Sequence, residues 1–211
     1  MFAEWFSQQL AKPTHSLLGW VAKKLFERNN RFLEESAVKL CDIQPDNVVL
    51  ELGFGPGLGL QEAARRLTQP GGKLYGLDIS EYMYNTARER LQADIQSGKV
   101  TLYLGSVEQI SLADNAVDKV YHCNCYYFWP DLRAGSREIH RVMKPGALMV
   151  TTLHLEALQR VVASGVLKDT NWQPELYMEA LSETGFVDVR MEEQQDNERS
   201  FKAIFATANK A

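Results

Sequence analysis

The feature that most restricts the fold is a glycine-rich segment at residues 51–59 (ELGFGPGLG), between a short apolar run and a stretch of helical composition. Glycines allow the backbone to turn tightly and to approach a ligand without intervening side chains. The free N–H groups at the start of the following helix favour a carboxylate or a phosphate. The segment therefore predicts a strand, a ligand-binding loop and a helix in that order, with a nucleotide-like ligand.

The rest of the chain alternates between strand-like and helix-like segments. Short apolar runs lie at 47–53, 73–79, 99–105, 118–124 and 147–153, and stretches of helical composition lie at 59–69, 81–96 and 134–143. Strands that alternate with helices predict a parallel sheet covered on both faces. The tail differs, because a helix at 174–185 precedes two strand-like runs at 186–193 and 200–209, which predict a final antiparallel hairpin.

The chain of 211 residues predicts a single domain, 1–211. Residues 1–44 are helical in pattern, and 45–211 carry the alternating core. Trp5, Phe6 and Trp20 give the first helices bulky apolar faces, although these helices precede the sheet. We expect the 1–44 segment to form a lid over the core; helices that merely pad the sheet are the alternative.

Composition and charge favour a small-molecule partner. The formal net charge of -4 provides no overall positive field for nucleic acid or an anionic membrane. Glu4 interrupts the start of the chain where a secretion signal needs an apolar stretch, and no uncharged apolar run reaches the roughly 18 residues of a membrane span. The odd cysteine count suits a reducing compartment, so we expect a cytoplasmic protein.

The spacing of the glycines distinguishes between cofactors. No register supplies the G-x-G-x-x-G of dinucleotide-binding proteins. The segment instead places Glu51, Gly53, Gly55 and Gly57 at alternate positions, which resembles the first motif of class I S-adenosylmethionine-dependent methyltransferases. The alternative for the loop alone is a tight strand-to-helix turn without a ligand.

Two later positions fit a nucleoside. Asp78 ends the second predicted strand, where a carboxylate can accept hydrogen bonds from both ribose hydroxyls; a helix cap is the alternative role. We assign the adjacent Ile79 to the same site. Residues 104–120 resemble the segment of the family that covers the adenine, with Ser106 where many members have Asp, and Val107 against the ring face.

The run 118–150 resembles the family's fourth strand, loop, helix, R-V-x-K-P-G turn (141–146) and fifth strand. The resemblance covers about residues 45–152. It implies a Rossmann-like three-layer sandwich whose seven-stranded sheet has the order 3-2-1-4-5-7-6, with the last strand antiparallel. It also implies S-adenosyl-L-methionine as cofactor, S-adenosyl-L-homocysteine as product, and a monomer or homodimer. Within the turn, we expect the Pro to end the helix and the Gly to permit the turn into the strand.

In this family the methyl group faces the carboxyl end of the fourth strand. Asn124 is then a polar contact to the cofactor, and Tyr127 and Trp129 are candidates for the wall that positions a small-molecule acceptor. Packing on top of the sheet is the alternative for the two aromatic residues. His122 and His154 are candidate general bases for a hydroxyl or thiol acceptor, and a structural histidine is the alternative for each.

Cys123 and Cys125 lie two apart on a predicted strand, so their side chains share a face, which is compatible with a metal or arsenic site. A packed apolar pair is preferred, and no metal is expected. Two other functions stay open. One is a catalytically inactive protein that binds or regulates with this fold. The other is a different nucleotide-cofactor enzyme, such as an aminopropyl transferase or a nicotinamide-dependent enzyme.

Overall fold

The computed structural model describes residues 2–167, 170–197 and 199–210, with side chains from residue 5 onward. Within these ranges the strands are β1 (Val48–Leu52), β2 (Lys73–Asp78), β3 (Val100–Leu104), β4 (Val117–Cys123), β5 (Met143–Leu153), β6 (Phe186–Asp196) and β7 (Arg199–Ala208). The helices are α1 (Phe2–Ala11), α2 (Leu17–Asn29), α3 (Arg31–Leu40), α4 (Leu58–Arg66), α5 (Glu81–Arg90), α6 (Gln92–Gln96), α7 (Leu132–Val142), α8 (Leu155–Ala163) and α9 (Pro174–Glu183), with a 3-10 turn at Tyr126–Phe128. In the described ranges, no helix has the length and apolar character needed to cross a membrane.

The strands form one sheet in the order β3-β2-β1-β4-β5-β7-β6. The pairs from β3 to β5 are parallel, and β7 runs antiparallel to both β5 and β6. The predicted strand order and the antiparallel last strand are thereby confirmed. The order reverses between β1 and β4, and in sheets of this kind the crevice at the carboxyl ends beside such a switch point is where ligands bind.

Alternating side chains on the central strands build a hydrophobic layer on each face of the sheet. On β1, Val49 packs with α3 and α4 on one face, whereas Leu50 packs in the layer under α7 and α9. On β4, Tyr121 and Val120 divide in the same way. Both faces are therefore covered, which confirms the predicted three-layer sandwich.

The N-terminal segment does not behave as one unit. On α3, Leu33, Ala37 and Val38 are buried in the layer that also contains β1 and α4. Trp5 on α1 and Trp20 on α2 are by contrast about half exposed, at 48% and 49%. The expected boundary between a lid at 1–44 and a core from 45 is therefore misplaced, because α3 supplies core side chains. Only α1 and α2 can act as a lid, and we call these two helices and the link between them (2–29) the cover.

The segment 141–146, which was predicted to be a turn, is divided between the end of α7 and the start of β5. α7 ends at Val142 and β5 begins at Met143, so the proline does not end the helix, although Gly146 does take a left-handed conformation (φ 75°). The guanidinium of Arg141 donates to the carbonyls of Ile110 and Leu112 and forms an ion pair with Asp114. The arginine of this motif thus holds the segment between β3 and β4.

Candidate active site

A cavity of about 960 Å³ opens at the carboxyl ends of β1 to β4 and extends under α1 and α2. A volume of this size is at the upper end of the range usual for small-molecule sites. The predicted site residues that line it are Gly53, Gly55, Asp78, Ile79, Ser106, Val107, Asn124, Tyr127, Trp129 and His154. Three other predicted residues, Glu51, Gly57 and His122, are not on its surface.

The glycine loop lies against the segment that follows β4. Gly53, Gly55 and Gly57 all have positive φ (63°, 50° and 81°), which favours glycine. A Cβ on Gly53 would lie 2.9 Å from Cβ of Cys125, and one on Gly57 would lie 2.9 Å from Cβ of Ala87 on α5. Gly57 therefore allows the loop before α4 to approach Ala87 and is not a cavity residue, which corrects its assignment as a cofactor contact.

Asp78 joins the glycine loop to the start of α5. Its Oδ2 accepts a hydrogen bond from Gly55 N (2.8 Å), and its Oδ1 accepts one from Ser80 N (2.8 Å). Burial raises the pKa of Asp78 to about 6, opposed by these backbone donors. Each carboxylate oxygen has a further lone pair available to a ligand hydroxyl. Ile79 beside it is 44% exposed and lines the cavity.

Contacts from β2, α5 and β4 hold the N-terminal helices over the cavity. The Ser80 hydroxyl donates to the carbonyl of Pro13 (2.5 Å), in the link between α1 and α2. Arg90 on α5 forms an ion pair of 2.8 Å with Glu27 on α2. Asn124 donates from Nδ2 to Oδ1 of Asn30 (3.2 Å). Asn124 therefore contacts the cover as well as the cavity, and Asn30 is a cavity residue that sequence reasoning missed.

The end of the cavity beside β3 is formed by Ser106 and Val107. The Ser106 hydroxyl oxygen accepts a hydrogen bond from Glu108 N (3.3 Å) and has a second lone pair for a ligand amino group. Val107 is 8% exposed and packs on the side away from the cavity against the position of Gly135, where a Cβ would lie 3.2 Å from Cγ1 of the valine.

Tyr127 and Trp129 each have one side in the cavity and one side packed. The Tyr127 ring contacts Tyr126 and Phe128 at centroid distances of 5.3 and 4.7 Å, and no described residue forms a hydrogen bond with its hydroxyl. The Trp129 ring packs on His122 at 5.2 Å. Both residues therefore pack on the protein and also face the cavity, so a role in an acceptor wall and a packing role do not exclude each other.

His122 lies away from the cavity, in the layer under α7 and α9. Its Nε2 is 2.8 Å from both the Tyr177 and the Thr151 hydroxyls, and its Nδ1 is 3.4 Å from Cys125 Sγ. Burial lowers the pKa of His122 to about 3, so the ring is neutral. The general-base assignment of His122 is thus replaced by the structural alternative, because strand alternation turns the imidazole to the packed face.

His154 does line the cavity, at the start of α8. Its Nδ1 accepts a hydrogen bond from Ala157 N (3.3 Å), so in the neutral ring the proton is on Nε2. In that tautomer Nε2 is a hydrogen-bond donor and not a proton acceptor. The geometry therefore fits a residue that orients an acceptor better than the general base expected from sequence.

Cys123 and Cys125 are thiols in a buried environment. Burial raises the pKa of both far above the usual value, which favours the protonated form. No group of three His, Cys, Asp or Glu side chains that could hold a metal occurs in the described part of the chain. The closeness of Cys125 to Gly53 and of Cys123 to Glu34 shows a packing role for each.

Much of the cavity beyond these residues was not found from sequence. Apolar side chains come from the cover, α3, the aromatic loop and the α8 region: Phe6, Leu10, Leu25, Phe26, Phe32, Phe128, Leu158, Val161, Val166 and Leu167. Arg28, Arg160 and Arg199 add cations. These residues come from separate segments, so no local motif marks them; only the unusual aromatic content of the first helices was a signal.

Comparisons with known proteins show which family the chain belongs to. The family model described as "Methyltransferase domain" matches residues 50–151. The uncharacterized methyltransferase YdaC of Bacillus subtilis is 31% identical over 133 residues, which are 63% of this chain and 70% of YdaC. The chain belongs to the class I methyltransferase family. The predicted family resemblance is thereby confirmed.

Solved structures with low sequence identity share the fold of this chain. A structure of the Haloferax volcanii complex between the Trm112 methyltransferase activator and a methyltransferase matches with a TM-score of 0.76 and 20% identity, covering 92% of this chain and 96% of that one. Phosphoethanolamine N-methyltransferase 2 of Haemonchus contortus, solved with phosphomonomethylethanolamine and S-adenosylhomocysteine, matches with a TM-score of 0.73 and 16% identity over 97% and 60% of the two chains. The chain matches only 33% to 52% of the length of the next curated relatives.

Proposed function

We propose that this protein transfers a methyl group from S-adenosyl-L-methionine to a small-molecule acceptor bound in the 960 Å³ cavity. One observation carries the proposal: the cavity joins a glycine loop and a buried carboxylate at one end to an aromatic, mostly apolar chamber at the other. A cofactor and an acceptor need such adjoining compartments to meet in line.

The cofactor compartment follows the sheet order. Asp78 accepts hydrogen bonds from the ribose hydroxyls, and Ser106 and Val107 contact the adenine. Gly53 and Gly55 let the backbone approach the methionine portion, with Asn124 at its far end. The positive φ of both glycines and the free lone pairs of Asp78 support this assignment. When bound, the cofactor supplies an electrophilic methyl group on a sulfonium.

The acceptor compartment lies between the aromatic loop, α8 and the cover. Tyr127 and Trp129 wall it, and the Tyr127 hydroxyl and His154 Nε2 offer polar contacts that orient the acceptor. The remaining lining combines apolar side chains with the cations Arg28, Arg160 and Arg199, which favours an acceptor with an apolar body and a polar or anionic group. The Haemonchus contortus enzyme, solved with a small acceptor and the product cofactor, supports a small molecule here.

The chain contributes positioning and exclusion of water. In-line displacement requires an acceptor lone pair behind the methyl carbon, and holding the two reactants in that geometry lowers the barrier substantially. The cover anchored through Pro13 and Glu27 shields the chamber from solvent. Because His122 is buried away from the cavity and His154 is in the tautomer that donates from Nε2, neither histidine is assigned as a base. This favours one of two acceptors: an unprotonated amine, or a group that loses its own proton to water.

A second candidate is a protein that needs a partner for activity. The Haloferax volcanii structure, a complex with a methyltransferase activator, motivates it. We nevertheless propose a monomer or homodimer. We also propose a cytoplasmic protein without a nucleic-acid partner, since the net charge is -4 and the three cysteines are free.

The test is to incubate the purified protein with S-adenosyl-L-methionine labelled with tritium on the methyl group and with fractionated small-molecule extracts. Labelled product in a fraction, lost with Asp78→Ala, supports the proposal. Cofactor binding by calorimetry without transfer to any fraction favours the binding-protein or activator-dependent alternatives. Failure to bind either S-adenosylmethionine or S-adenosylhomocysteine overturns the cofactor assignment.

A further inference from the structure

Two carboxyl groups from distant parts of the chain meet behind the glycine loop. Glu34 on α3 and Glu51 on β1 are 6% and 1% exposed. A Cβ on Gly59 would lie 2.7 Å from Oε2 of Glu34 and 2.4 Å from Oε1 of Glu51, so the missing side chain of this glycine makes room for both groups. Glu34 lines the cavity, whereas Glu51 lies behind it.

The two carboxyls differ in their partners. Oε2 of Glu51 accepts a hydrogen bond from the Tyr121 hydroxyl (2.8 Å). Oε2 of Glu34 is buried, and no hydrogen-bond partner for it exists among the described residues. A buried polar atom left in this way is costly unless a ligand or a proton satisfies it.

The groups that face Glu34 are acidic or neutral. They are Glu51 from β1, Tyr121 and Cys123 from β4, and Asp78 from β2, and no Lys or Arg influences the pKa of either carboxyl in the described structure. Burial raises the pKa of Glu34 to about 8, against hydrogen bonds to Glu51 and Cys123 that lower it, and burial beside Glu34 raises the pKa of Glu51 well above its usual range. Two adjacent buried carboxylates cannot both ionise without a cation, so the pair holds at least one proton at neutral pH.

The sheet order indicates which part of the cofactor comes near Glu34, an argument that rests on the proposed function. Along the cavity Ser106 follows β3, Asp78 ends β2, the glycine loop follows β1, and Asn124 follows β4. With adenine at β3 and ribose at β2, the amino-acid end lies over β1 and β4. Its ammonium group is the cation that the unpartnered oxygen of Glu34 lacks.

We propose that Glu34 binds the α-ammonium group of the cofactor's amino-acid portion, and that the proton shared by Glu34 and Glu51 passes to the solvent buffer when the cofactor binds. The charge balances, because one ammonium replaces one proton beside the two carboxyls. Proton release on binding also makes the affinity rise with pH up to the pKa of the pair.

The test uses isothermal titration of the intact protein at pH 7 with S-adenosylhomocysteine and with methylthioadenosine, which lacks the amino-acid portion. Titration in two buffers of different ionisation enthalpy gives the number of protons released. We expect close to one proton for S-adenosylhomocysteine and none for methylthioadenosine. Glu34→Gln should lower the affinity for S-adenosylhomocysteine at least tenfold and abolish the proton release. It should leave the affinity for methylthioadenosine within twofold of the wild type.

Glu35→Gln is the matched control, since Glu35 is the next residue on α3 and its side chain is 51% exposed. It should bind both ligands as the wild type does. The proposal would be overturned if Glu34→Gln lowered the affinity for both ligands equally, or if the proton release stayed unchanged. The wild-type proton counts decide the matter even if that variant does not fold, because equal release with both ligands also overturns it. Absence of binding by either ligand contradicts the proposed function itself.

Discussion

The backbone N–H of Gly55 donates a 2.8 Å hydrogen bond to Oδ2 of Asp78. The loop after β1 and the carboxylate at the end of β2 are therefore linked, so a change in either one also affects a ligand that contacts the other. Ser80, whose N–H binds the other oxygen of Asp78 and whose hydroxyl binds Pro13, extends this unit to the N-terminal cover.

Asp78→Asn should weaken S-adenosylhomocysteine binding at least tenfold, because hydrogen bonds to a charged partner contribute roughly 1.5 to 3 kcal/mol each. Burial raises the pKa of Asp78 to about 6, so protonation below that pH removes the accepting charge. Wild-type affinity should therefore fall more steeply than that of the variant between pH 7 and pH 5. Calorimetry at several pH values measures both effects, with the exposed Asp46→Asn as control. An unchanged dissociation constant would remove Asp78 from the site.

Tyr127→Ala should reduce turnover about tenfold or more, because the acceptor is no longer positioned. The affinity for S-adenosylhomocysteine should stay within about twofold of the wild type. Tyr127→Phe separates the hydroxyl from the ring, because it removes one oxygen and almost no area. Tyr126→Phe is the matched control, since its hydroxyl binds the carbonyl of Trp172 and is not on the cavity surface. Steady-state kinetics and calorimetry test this. Equal losses of turnover and cofactor affinity in Tyr127→Ala would exclude an acceptor role.

Deletion of residues 1–29 should leave a folded protein without turnover, because α1 and α2 bury little in the core yet cover the cavity. Deletion of residues 1–41 should prevent folding, since it also removes the buried face of α3. Circular dichroism melts and the methyl-transfer assay distinguish the two. Unfolding of the shorter deletion would show that these helices are padding.

Gly59→Ala should destabilise the protein by about 1–3 kcal/mol, as overpacking of a core does. Alanine normally favours a helix over glycine by about 1 kcal/mol. Here its Cβ would lie 2.4 Å from Oε1 of Glu51, whose carboxyl is buried and held by Tyr121. The control is Gly71→Ala, where the nearest atom would be 3.8 Å away. Urea unfolding measures the difference, and a stabilised Gly59→Ala would mean that the carboxyl pair can move aside.

Short-range pattern was sufficient for the strands, most of the helices, the glycine loop and Asp78, whereas α8 was not predicted and the single helix expected at 81–96 is divided into α5 and α6. Each depends on a few neighbouring residues: a short apolar run marks a buried strand, the tight loop requires glycine at Gly53 and Gly55, and a carboxylate at a strand end is visible in the sequence. The parallel order of the sheet then follows from the family pattern. Prediction and structure agree on the fold for this reason.

Contacts between distant segments established the rest. The face to which His122 turns depends on the register of β4 and on Tyr177 from α9. Glu34 is an ordinary charged position on a helix until α3 packs against β1 and brings it to Glu51. The acceptor compartment combines the cover, the aromatic loop and α8, whose side chains are far apart along the chain. A buried charge and a cavity wall are properties of the packed environment, and no local pattern encodes which segments will supply that environment.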